Sequence, residues 1–212
     1  RVLNGGSLTL DHAIIEYAAN GIDYSLSSGA GQMSVKNCLI RQLSGIGIKA
    51  IVANSGTLFN GTFTANEITG TGGNGIYLYT HTSGRSEIEI GDNVIHNVAE
   101  YGIHLYTYNS AQADGIVSDN EIFTTATGIY NHSYNAKVSL GTEGNLIHGC
   151  TTGIYANYEG GGNVGSSGAP VFKNNFIVGI SIRIIKFLRD PNHCHVLIVK
   201  IRFRDFLGDS LI

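Results

Sequence analysis

Tryptophan is absent from this sequence, proline occurs twice, and charged residues make up 14% of the 212 residues. Because proline is scarce and glycine has no three-residue period, the chain is not a collagen. Ala, Glu, Lys, Leu and Arg do not dominate, which excludes a coiled coil. No apolar run reaches the roughly 18 residues of a membrane helix, so we predict no membrane span. The formal net charge of −3 predicts no sequence-independent binding to nucleic acid phosphates.

Cysteine is also scarce, and its three copies lie far apart at Cys38, Cys150 and Cys194. They show neither a disulfide framework nor metal-ligand spacing, so we expect buried thiols and leave the redox compartment open. No signal peptide is visible after Arg1. Since Gly5-Gly6-Ser7 leads directly into a strand-like segment, we expect the chain to be an internal fragment.

What is abundant is glycine (29 residues) and a repeated motif of a polar residue, any residue, and an aliphatic residue. The aliphatic anchors lie 25 to 30 residues apart, a period typical of repeat architectures. A Gly-Ile pair follows six of the seven anchors. The seven motifs are His12-Ala13-Ile14, Asn37-Cys38-Leu39, Asn66-Glu67-Ile68, Asn93-Val94-Ile95, Asn120-Glu121-Ile122, Asn145-Leu146-Ile147 and Asn175-Phe176-Ile177, and the pairs are Gly21-Ile22, Gly45-Ile46, Gly75-Ile76, Gly102-Ile103, Gly128-Ile129 and Gly153-Ile154.

The local pattern inside each repeat favours strands. Residues 75–79 alternate with period two, and this density of glycine would be costly inside helices. Three short strands in about 27 residues predict one coil of a three-sided parallel β-helix, and about seven coils would stack roughly 4.8 Å apart. We therefore predict an all-β solenoid domain over residues 1–179.

The repeated asparagine has a structural explanation. Its amide can both donate to and accept from the equivalent amide one coil away, which satisfies buried polar groups. We therefore predict a structural ladder, and no chemistry, for six residues: Asn37, Asn66, Asn93, Asn120, Asn145 and Asn175.

The Asn-x-Ile motif followed by Gly-Ile-Tyr resembles the right-handed parallel β-helix of the pectate-lyase-like superfamily, over about residues 7–179. That superfamily includes polysaccharide lyases, glycoside hydrolases, epimerases, phage tailspikes, adhesins and periplasmic accessory proteins, so the resemblance implies a fold and no single activity. It also implies an extracellular or cell-surface location. Lyases of the superfamily pair acidic calcium ligands with a basic residue, but no recognisable lyase motif occurs here. The Gly-His-Gly signature of polygalacturonase-like enzymes is also absent from the sequence.

The last segment, residues 180–212, breaks the repeat. It carries six Lys or Arg and three Asp or Glu, a formal +3, whereas the preceding residues carry seven basic and thirteen acidic residues, a formal −6. Two explanations stay open, namely a terminal cap on the solenoid and a non-native continuation past a frameshift.

Outward-facing aromatic residues after each Gly-Ile pair give the first candidate site. Alternation along each strand predicts a stripe of rings about 5 Å apart from coil to coil. Such a stripe could bind a polysaccharide, or its rings could simply stack on one another. The stripe consists of Tyr77, Tyr79, His104, Tyr106, Tyr130, His132 and Tyr155.

Carboxylates give the second candidate site. Asp92 and Asp119 occupy the same place in adjacent coils, and Glu121 lies close by in sequence. Stacked acids could act as a catalytic pair or hold Ca²⁺, and they could equally be solvated turn residues. His96 and His148 lie two coils apart, too far for one metal ion, so we predict no further cofactor or metal site.

Three functions follow as hypotheses. The leading one is an extracellular or surface domain that binds polysaccharide. The second is a fragment of a polysaccharide lyase or glycoside hydrolase, and the third is a structural or adhesive stalk without a small ligand. The oligomeric state is left open.

Overall fold

The computed structural model of the protein describes residues 1–3, 6–159, 172–178 and 186–187. Those residues form 22 strands, numbered β1 to β22 in chain order, and no helix. Over these ranges nothing helical is long and apolar enough to pass through a bilayer. The chain runs through the three sheets in turn, so that each coil contributes one strand to each sheet.

The first sheet has eight strands. In spatial order they are β1 (Val2–Leu3), β4 (Ile22–Leu26), β7 (Ile48–Ala53), β10 (Ile76–His81), β13 (Tyr101–Tyr108), β16 (Thr127–Tyr134), β19 (Thr152–Glu159) and β22 (Lys186–Phe187).

The second and third sheets have seven strands each. The second contains β2 (Ser7–Asp11), β5 (Ala30–Lys36), β8 (Leu58–Thr64), β11 (Arg85–Gly91), β14 (Gln112–Ser118), β17 (Lys137–Glu143) and β20 (Phe172–Lys173). The third contains β3 (Ile14–Glu16), β6 (Leu39–Leu43), β9 (Glu67–Thr71), β12 (Val94–Val98), β15 (Glu121–Phe123), β18 (Leu146–His148) and β21 (Phe176–Val178).

All neighbouring strands pair in parallel, which confirms the predicted three-sided solenoid. Side chains alternate between the core and the outside, as in β10, where Ile76 and Leu78 are buried and Tyr77 and Tyr79 are half-buried. Because the register is in step from coil to coil, each position forms a column along the axis. Ile76, for example, pairs with Ile48 before it and with Ile103 after it.

The glycine of the Gly-Ile pair is required by the close approach of coils. A Cβ atom on Gly75 would lie 2.6 Å from the carbonyl oxygen of Gly102 and 2.7 Å from Cγ2 of Ile95. In the second coil the prediction of Gly45-Ile46 was wrong, because Ile48 is the residue that pairs with Ile22 and Ile76. Gly47-Ile48 therefore occupies that position, two residues later.

The asparagine ladder is confirmed for five of the six predicted residues. Nδ2 of Asn93 donates to Oδ1 of Asn120 at 2.8 Å, and the same bond links each successive pair. Asn37 was a wrong assignment, since it is exposed and donates to Oδ1 of Asp11 at 2.8 Å. The ladder position in that coil belongs to Cys38, whose backbone N–H donates to Oδ1 of Asn66. The five members are Asn66, Asn93, Asn120, Asn145 and Asn175.

Cys38 and Cys150 are free and buried, which confirms the expected thiols, while Cys194 lies outside the described residues. The predicted domain boundary at residue 179 and the basic segment 180–212 also lie outside them, apart from β22. Lys186 and Phe187 of β22 pair in parallel with Asn157 and Tyr158 of β19.

Candidate functional site

The outer face of the first sheet carries a two-dimensional set of rings, here called the aromatic array. Four consecutive strands, β10, β13, β16 and β19, supply it. Their register places the rings in three columns that run from coil to coil. The first column is Tyr77, His104, Tyr130 and Tyr155; the second is Tyr79, Tyr106 and His132; the third is His81, Tyr108 and Tyr134.

The second column is a parallel stack. The centroids of Tyr79 and Tyr106 lie 5.0 Å apart at 14°, and those of Tyr106 and His132 lie 4.8 Å apart at 13°. These spacings match the distance between neighbouring strands, which confirms the predicted 5 Å repeat. Tyr106 therefore has a ring against each of its two faces.

The first column is packed as closely but with more tilt. His104 lies 4.9 Å from both Tyr77 and Tyr130, edge-on to the latter at 83°. Tyr130 stacks on Tyr155 at 5.0 Å and 3°. Tyr101, at the start of β13, also contacts this column, 4.7 Å from His104 and 4.8 Å from Tyr130. Contact between rings, the alternative to polysaccharide binding as an explanation of the stripe, is therefore present along this column.

Close packing shifts the ionisation of the array away from charge. Burial, with smaller contributions from neighbouring tyrosines, raises the pKa of Tyr77 to about 12. Burial and the nearby His132 lower the pKa of His104 to about 4. Burial also lowers the pKa of His81 and raises that of Tyr79. At neutral pH Tyr77 and His104 are thus uncharged hydrogen-bonding groups.

Comparison with known proteins agrees with this architecture. Residues 20–184 match the family described as the right-handed β-helix region. The chain belongs to the right-handed β-helix family. Domains of this family occur in proteins that act on polysaccharides and in adhesins. Searches of curated proteins and of solved structures found no match.

Charged side chains of this β-helix concentrate on the other two faces. On the outer face of the second sheet a shallow groove of about 410 Å³ is lined by Glu87, Glu89 and Asp114 among others. Arg85 lies beside it, with its Nη2 atom 2.8 Å from Oε1 of Glu87 and 3.7 Å from Oδ2 of Asp114. The sequence hypotheses did not include this groove, because the carboxylates follow no motif and come together only through the register of β11 and β14.

Asp92 and Asp119 lie at the sharp turn between the second and third sheets. Both are exposed and both have φ of 56°. The same turn position in other coils holds Asn37 (φ 53°) and Gly144 (φ 69°), so a left-handed backbone conformation is common to the column. Asp, Asn and Gly tolerate that conformation best. A catalytic role for Asp92 and Asp119 stays a hypothesis.

Glu121 lies on the outer face of the third sheet, where its Oε1 is 3.1 Å from Nε2 of His148. An equivalent pair joins Glu67 and His96 at 3.4 Å. The Phe123 ring separates the two imidazoles, 4.7 Å from His96 and 4.9 Å from His148. In the described ranges no group of three or more His, Cys, Asp or Glu side chains is placed to hold a metal ion.

The structure thus brings all seven predicted aromatic residues into one surface and adds four more: Tyr101, His81, Tyr108 and Tyr134. His81 extends the alternation of Tyr77 and Tyr79 by one step, a signal that the sequence already contained. Tyr101 precedes the glycine of its coil, and nothing in the alternation indicates its contact.

Proposed function

We propose that this β-helix binds polysaccharide on the aromatic array. The observation that carries the proposal is the concentration of ten rings on four consecutive strands of one face. In the earlier strands β4 and β7 the same outward positions hold Asp23, Ser25, Lys49 and Ile51. Because the fold accepts non-aromatic residues there, backbone and core do not require the rings.

The dimensions of the array support a polymeric ligand. Four strands at about 4.8 Å spacing give a surface roughly 15 Å long, and three alternating positions make it roughly 13 Å wide. It is a flat face of a sheet, whereas small-molecule sites are concave. Because domains of this family occur in adhesins and in proteins that act on polysaccharides, we propose an extracellular or cell-surface location.

The test is binding to immobilised neutral and acidic polysaccharides with the triple variant Tyr77→Ala, Tyr106→Ala, Tyr130→Ala. We expect the wild-type protein to bind at least one polysaccharide and the variant to lose that binding. The matched control is Glu89→Ala, on the outer face of the second sheet. Circular dichroism verifies that each variant keeps its strands.

Two results would contradict the proposal. If wild-type protein binds none of the polysaccharides, the hypothesis of a structural or adhesive stalk takes its place. If the protein self-associates and the triple variant is a monomer, the array is an interface between copies of this chain.

We propose polysaccharide cleavage as a second candidate, favoured by one observation, the carboxylate–imidazole contact of Glu121 and His148. Such a pair can accept and return a proton. Incubation with neutral and acidic polysaccharides, with and without Ca²⁺, would yield new reducing ends or unsaturated products. Those products would disappear in Glu121→Gln and in Asp92→Asn with Asp119→Asn if these residues carry the reaction.

A further inference from the structure

In the middle of the aromatic array, ring faces are occupied by other rings. Tyr106 lies between Tyr79 and His132 in a parallel stack. Tyr130 has Tyr155 parallel to one side, and it contacts His104 and Tyr101 as well. A sugar ring that approaches the middle of the array therefore meets ring edges, because the π-faces already contact neighbouring coils.

The edges carry the polar atoms of these side chains. A phenol hydroxyl can both donate and accept a hydrogen bond. Sugar hydroxyls have the same dual character. Repetition of such groups every 5 Å in one direction and at alternate residues in the other gives a surface that is complementary to many hydroxyls in a row.

The described strands β4, β7, β10, β13 and β16 of this face offer little to a charged ligand. On β4, β7, β10, β13 and β16 the outward positions include two formally charged side chains, Asp23 and Lys49, with histidine counted as neutral. Asp23 already lies 4.0 Å from the Nε atom of Arg1. Recognition of a polyuronate would require several cations, since carboxylates are bound best by Arg and Lys.

We infer that the aromatic array recognises an uncharged, hydroxyl-rich glycan, through the phenol hydroxyls at the ring edges and not through the ring faces. The inference rests on the proposed function and specifies its ligand class. The neutral state of Tyr77 and His104 around pH 7 is consistent with it.

The experiment separates the hydroxyl from the ring. Tyr79→Phe and Tyr106→Phe keep the stacked rings and remove one hydroxyl each, so that folding is preserved. Tyr17→Phe is the matched control, because Tyr17 is exposed on a turn outside the array. Affinity of each variant is measured by calorimetry against three soluble probes: a neutral β-glucan, a neutral mannan and polygalacturonate.

We expect each array variant to lose about 2- to 10-fold in affinity for a neutral probe, the effect of one neutral hydrogen bond. The control should bind as the wild type does, and added NaCl should leave neutral binding unchanged. If the Phe variants bind fully while the Ala triple variant does not, recognition through the edges is wrong but polysaccharide binding stands. Preferential, salt-sensitive binding of polygalacturonate overturns the neutral class. Failure of all three probes, together with the wider polysaccharide panel, overturns the proposed function itself.

Discussion

Removal of one amide from the asparagine ladder gives a direct measure of what holds the coils together. Asn93 is fully buried, and its side chain takes part in four hydrogen bonds. Its Oδ1 accepts from the backbone N–H and from Nδ2 of Asn66, at 3.0 and 2.9 Å. Its Nδ2 donates to the Phe63 carbonyl and to Oδ1 of Asn120, both at 2.8 Å.

The substitution Asn93→Ala leaves three buried polar groups without these partners. They are the backbone N–H of Asn66, one hydrogen of its amide, and the carbonyl of Phe63. Oδ1 of Asn120 still accepts from the backbone N–H of Asn93, at 3.1 Å. At about 1–3 kcal/mol for each buried unsatisfied group, the loss is about 3–5 kcal/mol if water enters part of the space. That is a large share of the about 5–15 kcal/mol typical of a whole domain.

Urea unfolding followed by circular dichroism measures this difference. Asn60→Ala is the matched control, because Asn60 faces outward from β8 and a surface substitution changes stability by about 0.5 kcal/mol or less. Hydrogen exchange should also localise the effect to the coils on either side of Asn93, since a solenoid is stabilised by contacts between neighbours. A loss no greater than that of Asn60→Ala would refute the view that the amide ladder stabilises the stack.

Three further predictions use the same columns. Cys38→Asn places an amide at the vacant ladder position below Asn66, and we expect the urea midpoint to rise, with stabilisation of about 1 kcal/mol. Gly75→Ala forces a Cβ to within 2.6 Å of a carbonyl oxygen in the next coil. We expect the free energy of unfolding to fall by about 1–3 kcal/mol, which a lower melting temperature would show. Burial and His132 lower the pKa of His104 from 6.5 to about 4, so the unfolded chain binds a proton first and stability falls as pH drops through that interval. A shift of that size corresponds to at most about 3 kcal/mol, and His104→Tyr should remove that part of the acid loss, measured as urea midpoints between those pH values.

Much of this architecture could be predicted because the parallel register converts a sequence period into columns. The alternation in Tyr77 to Tyr79 placed the rings outside, and the period set their spacing. What failed was the register of the second coil, where Asn37 has φ of 53° beside the true ladder position. Asparagine suits both a left-handed turn and a ladder, so its presence alone could not decide between them.

The packing of the ring faces could not be predicted from the sequence either. Alternation gives the side of the sheet on which a ring lies, but the angle between two rings depends on side-chain rotamers and on the neighbours in three columns. The parallel stack of Tyr79, Tyr106 and His132 and the edge-on contact of His104 with Tyr130 appear only in the structure. That distinction decides which atoms remain accessible to a ligand.

The two candidate sites differ in how far their residue types are explained by the backbone. Asp92 and Asp119 occupy a column of turn residues with φ near 55°, where a short polar side chain or glycine is favoured without any chemistry. The rings of the array occupy ordinary extended positions, where Asp23 and Lys49 are accepted in earlier coils. Residue identity that the fold does not demand is the better indicator of function, and it is why the aromatic array, and not the aspartate column, carries the proposal.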